Sequence, residues 1–107
     1  MITLDIPEGW YGSQNDEAAF FQWLDKIGCV ASYRGLHKDG LDLVCVELTT
    51  DTLSEPDLRE LIALHHRYGR DMSRLARFRT KQNEKWFAAP GMYWHEPVFG
   101  SRAGDKV

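Results

Sequence analysis

Two cysteines, four prolines and nine scattered glycines in 107 residues exclude several kinds of protein at once. Two cysteines are too few for the disulfide framework of a small secreted domain. No apolar run approaches the roughly 20 residues that cross a bilayer. The opening Met1-Ile2-Thr3-Leu4-Asp5 has neither the basic start nor the apolar centre of a signal peptide. The expectation is a cytoplasmic protein with no membrane contact. Glycines come singly, so no phosphate-cradling loop is spelled out, and no nucleophile elbow is present. Zinc sites usually draw ligand pairs from close spacings on loops. Cys29 and Cys45 fall instead inside strand-like runs, and the adjacent His65 and His66 would point about 100° apart on a helix. The chain therefore reads as a non-enzyme with no catalytic residue, no metal and no cofactor.

What the chain does have is aromatic area and unevenly placed charge. Four tryptophans among 107 residues serve a core or a binding surface. Residues 1–60 hold twelve acids and four bases, a net of −8, while residues 61–107 hold four acids and nine bases, a net of +5. Either the halves neutralise each other in the fold, or the molecule shows an acidic surface and a basic one.

The most apolar continuous run, Leu41 to Leu48, follows an Asp39-Gly40 pair. That dipeptide suits a type I′ hairpin turn between strands 29–37 and 41–49. In this register Lys38 faces Leu41, His37 faces Asp42, Leu36 faces Leu43, Arg34 faces Cys45 and Tyr33 faces Val46. One face then carries Ala31, Tyr33, Val44, Val46 and Leu48, and the second strand is buried enough to be central. His37 and Asp42 read either as a solvated cross-strand pair or as an imidazole oriented by a carboxylate. A first strand over 2–6 alternates apolar and polar residues and stops at Pro7.

Helices are expected over 15–27, 54–68 and 70–82. Ser13 or Asn15 caps the first, Phe20, Trp23, Leu24 and Ile27 form its inward stripe, and Gly28 suits a left-handed end. Ser54 caps the second, with Leu53 and Leu58 as a hydrophobic staple and Gly69 at its end. The fold class is α+β: a small antiparallel-containing sheet with the helices packed against it, one domain over 1–100. Met92 to Gly100 is expected on the surface, and 101–107 as a frayed tail. In the third helix Arg70, Arg74, Arg77 and Lys81, with Arg67 just before, would form one basic stripe able to follow phosphates. That gives one functional reading, a nucleic-acid-binding or regulatory module.

A second reading comes from a resemblance. The compact, acidic, aromatic-rich chain without a catalytic motif, together with its tail Tyr93-Trp94-His95-Glu96-Pro97-Val98-Phe99-Gly100, resembles small immunity proteins of bacterial toxin–immunity pairs, of the contact-dependent growth inhibition type. The resemblance implies a protein that binds a cognate toxin, often a nuclease, and covers its active site or substrate groove. Acidic side chains would then imitate nucleic acid and steer the encounter, and aromatic anchors would hold it. The candidates for that contact are Glu8, Trp10, Tyr11, Asp16 and Glu17 at one end, and Asp39 and Asp42 at the hairpin tip.

Overall fold

The computed structural model describes residues 2–100, so the expected frayed tail at 101–107 lies outside the described residues. The fold is α+β. Strands β1 (Ile2–Pro7), β2 (Val30–Lys38) and β3 (Leu41–Leu48) form an antiparallel sheet in the order β1-β3-β2. Helices α1 (Gln14–Lys26) and α2 (Glu55–Tyr68) are the long ones. A 3₁₀ helix (Ser73–Phe78) and the short helices α3 (Glu84–Phe87) and α4 (His95–Phe99) follow.

The hairpin takes the register that its turn residues dictate. Asp39 and Gly40 have φ of 54° and 80°, both positive as a type I′ turn requires. Pairings run from Lys38 with Leu41 to Tyr33 with Val46. Ser32 with Glu47 keeps this register, and the register then shifts so that Val30 pairs with Leu48. Ala31 is the extra residue of a bulge, so it is exposed and leaves the core face assigned to it from alternation. Across β3, Leu4 faces Val46 and Ile6 faces Val44. All four are buried, with Phe20 and Leu24 of α1 and Leu58, Leu61 and Ile62 of α2 in the same core.

Caps set the helix ends. The Ser13 hydroxyl accepts from Asp16 N at 3.1 Å, and Ser54 accepts from Asp57 N at 3.3 Å. Gly69 ends α2 at φ 66°. Gly28 does not take the left-handed conformation. Its N–H instead donates to the Asp57 carboxylate at 3.2 Å, tying the end of α1 to the start of α2. Phe21, off the inward stripe, stacks on Tyr33 of β2 with centroids 5.4 Å apart.

The segment expected as a helix over 70–82 is different. After Gly69 the chain turns Arg70 into the interior, and the Asp71 carboxylate accepts from Ser73 N at 2.9 Å. This local side-chain bond competes with a helical turn, and only the 3₁₀ helix forms. Asn83 closes it off by accepting from Thr80 N and donating to Phe78 O, both at 2.8 Å. The tail also departs from expectation. Trp94 and Val98 are buried in the core, and the Trp94 indole donates to Phe87 O at 2.7 Å.

The 3₁₀ helix runs beside β1. Arg74 donates to Asp5 O at 3.3 Å and Arg77 donates to Thr3 O. Two carbonyls on the outer edge of β1 are thus satisfied by side chains, which closes that edge to another strand. Replacing both, Arg74→Ala with Arg77→Ala, should cost about 1 kcal/mol per lost bond. It should also shift sedimentation toward larger species as the β1 edge becomes free to pair. Sedimentation equal to that of the unaltered chain would refute the guarding role.

Candidate functional site

The turn at Asp39-Gly40 brings the end of β2 and the start of β3 together at one end of the sheet. Two other segments reach the same place. β1 ends at Pro7, but Glu8 N still donates to Asp42 O at 2.9 Å, so the ladder carries Glu8 alongside β3. The Ser13 cap starts α1 there, with Glu17 in its first turn. These elements enclose an open concavity of about 490 Å³ lined by Glu8, Glu17, His37 and Asp42, with backbone from Gly35 to His37 along one wall. His37 Nδ1 lies 2.7 Å from Asp42 Oδ1. Both are exposed, so the pair adds little to stability. The Tyr11 hydroxyl donates to Glu8 at 3.1 Å. Among the described residues neither Glu8 nor Glu17 has a basic partner. Three carboxylates thus stand against the single imidazole of His37 around the concavity, which makes it a negative pole.

Of the seven residues expected at a partner contact, Glu8, Glu17 and Asp42 converge here. The remaining four separate. Trp10, on the loop just beyond Glu8, is 80% exposed, a large apolar side chain with nothing over it. Tyr11 folds inward, edge-on to Phe20 and Tyr68 at 5.7 and 6.0 Å. Asp16 is spent on the loop, its carboxylate accepting from Gly12 N at 2.8 Å. Asp39 lines a smaller hollow with Asp5, Lys38 and Arg74. His37 and Gly35 were missed as lining residues. The His37–Asp42 cross-strand pairing was the signal that could have found the first.

The expected basic stripe does not form as one helical face. Arg74 and Arg77 hold β1, and Arg70 is only 7% exposed. Its guanidinium lies 4.8 Å from the Tyr11 ring centroid and 5.5 Å from that of Phe20. One N–H donates to Tyr68 O at 2.7 Å, while Nε and Nη2 have no partner. Arg67 and Lys81 remain exposed.

A larger groove of about 560 Å³ runs between α1 and α2, and three of its polar side chains are already engaged. The Trp23 indole donates to Glu60 at 2.8 Å, and Asp57 holds Gly28. No three His, Cys, Asp or Glu side chains converge to hold a metal among the described residues. Cys29 is in the core, where burial pushes its thiol up to about 11. Cys45 faces the other side of the sheet, sheltered by neighbouring strands, and the two are unbonded. His65 is 1% exposed, and its Nδ1 lies 2.7 Å from Leu61 O, so the Nδ1–H tautomer donates. Comparison with protein-family models, curated proteins and solved structures finds no match.

Two predictions follow from the buried basic groups. Burial lowers the His65 imidazole from its ordinary 6.5. The unfolded chain then binds the extra proton first, so stability is full above pH 6.5 and falls as pH drops toward the folded value. Thermal melts across this range should show that slope, and His65→Gln should flatten it. The second concerns Gly9, where an added Cβ would lie 2.8 Å from the caged Arg70 Cζ. Gly9→Ala should cost about 1–3 kcal/mol by overpacking. Combining it with Arg70→Met should recover most of that loss, because a flexible neutral chain can give way. Additive costs in denaturant unfolding would show that the two positions are not in contact.

Proposed function

We propose that this protein is a binding protein that neutralises a basic macromolecular partner by covering its working surface, in the manner of an immunity protein acting on a toxin, with a nuclease as the favoured target. The observation that carries this reading is the concavity that Glu8, Glu17 and Asp42 line together, with His37 on Asp42 as its one basic neighbour and neither glutamate paired, on a chain segment that continues through Gly9 to the exposed indole of Trp10. A negative pole of this kind raises the encounter rate with a positively charged surface and disfavours acidic competitors. A nuclease presents such a surface because its substrate is a polyanion. Trp10 supplies the apolar anchor that charge alone lacks, since most binding energy at an interface comes from a few large buried side chains. Only Gly9 separates Glu8 from Trp10 along the chain, so steering and anchoring draw on one loop.

The nucleic-acid reading has weaker support. Arg74 and Arg77 would have to leave the β1 carbonyls before they could follow phosphates.

The test is co-expression with the product of the reading frame immediately upstream. That product should be toxic alone and tolerated beside this chain. Changing Glu8, Glu17 and Asp42 together to Lys should slow association at low salt by about tenfold or more. Trp10→Ala should weaken binding by about 30-fold, the size of a strong anchor. Unchanged association in the triple variant would sink the acidic-pole reading.

A further inference from the structure

The two edges of the sheet are treated differently. β1 is guarded by Arg74 and Arg77, which occupy the carbonyls of Asp5 and Thr3. Those carbonyls must point away from β3. Backbone groups alternate sides along a strand, so residues 44, 46 and 48 of β3 bond to β1, and 43, 45 and 47 bond to β2. Asp42 O, which accepts from Glu8 N, fits the same parity. On β2 it follows that Ser32, Arg34, Leu36 and Lys38 bond to β3, while Tyr33, Gly35 and His37 turn their N–H and C=O groups outward. Among the described residues those outward groups have no hydrogen-bond partner.

We propose that this free edge of β2 receives an extended strand of the partner, acidic on its outer face and basic on the face above the Glu8–Glu17–Asp42 concavity. The proposal rests on the binding role inferred above and names how the partner docks.

The chemistry of the incoming strand follows from side-chain parity. Arg34 and Lys38 share the outer face of β2, away from the helices, and both are exposed. Cross-strand neighbours of opposite charge stabilise pairing, so the outer positions of the incoming strand are acidic. Gly35 lies on the inner face, and a Cβ there would meet nothing within 4 Å. A long basic side chain on the inner face can pass over Gly35 to the carboxylates, because Gly35 itself lines the concavity. A second copy of this chain does not suit the edge. β2 reads Val-Ala-Ser-Tyr-Arg-Gly-Leu-His-Lys and has no acid, so no register of antiparallel self-pairing gives Arg34 or Lys38 an opposite charge, and the register that pairs Arg34 with Lys38 sets like charges together.

The experiment is amide hydrogen exchange by NMR on the whole chain. The probe is a blocked synthetic strand peptide with glutamates on one face and lysines on the other. At a peptide concentration about ten times Kd, the Tyr33, Gly35 and His37 amides should exchange about tenfold more slowly. Those of Arg34 and Leu36, already bonded to β3, should not change. Gly35→Pro removes one outward N–H and should abolish the effect. The exposed double change Arg34→Glu with Lys38→Glu should switch preference to a peptide with lysines on both faces. Three outcomes would each overturn the proposal: no slowing at millimolar peptide, binding without protection of these amides, or protection without peptide through a dimer. Protected edge amides with no toxin neutralised would count against the functional reading alone. Neutralisation lost in the triple-lysine variant but unaffected by Gly35→Pro would count against the strand alone.

Discussion

Strand β3 bonds to β1 along one side and to β2 along the other, and its inner side chains Val44, Val46 and Leu48 carry the helices. A strand in this position has no free backbone groups to lose to water, and its inner face adds the burial that drives folding. The other elements take their places from it. α1 and α2 close the inner face through Phe20, Leu24, Leu58 and Ile62, and the 3₁₀ helix aligns with the edge of β1. The acidic pole forms where the ends of the ladders meet the first turn of α1. Glu8 and Asp42 are brought there by pairing to the same strand and Glu17 by the cap of α1.

Few close ion pairs join the acidic half of the chain to the basic half. Among the described residues one ion pair joins the acidic half to the basic half, Arg74 with Asp5 at 3.9 Å. Arg59–Glu55 and Arg79–Glu84 stay within their own halves. The arginines of the second half are used on carbonyls and aromatic faces instead. Arg74 and Arg77 serve β1, and Arg70 is held among Tyr11, Phe20 and Tyr68. Carboxylates that could have been consumed by these cations are left facing solvent, and that is the physical origin of the negative pole.

Arg70 is the costly member of this arrangement. A buried guanidinium with two nitrogens unbonded carries a desolvation penalty, offset in part by the electron-rich ring faces around it. The arrangement also fixes the loop that bears Trp10. Gly9 packs directly on the guanidinium and Tyr11 on its face, so Trp10 between them is directed outward. One inward cation thus helps to position the exposed indole of the candidate site.

Local chemistry was legible in the sequence wherever a short stretch decides the outcome. Asp39-Gly40 specified the turn and hence the register, because few residues accept positive φ at both positions. Ser13, Ser54 and Gly69 marked helix ends because each satisfies orphan backbone groups on its own. Spacing also identified Phe20, Leu24 and Ile27 as core. Decisions between distant segments were not legible. The arginines at helical spacing suggested a stripe, but whether a cation meets water, a ring or a strand edge depends on what the fold places beside it. The same holds for the seven partner-contact residues. Periodicity could not separate Trp10 from Tyr11, and only tertiary structure put Glu8, Glu17 and Asp42 around one concavity, since their meeting requires the ladders, the turn and the helix cap together.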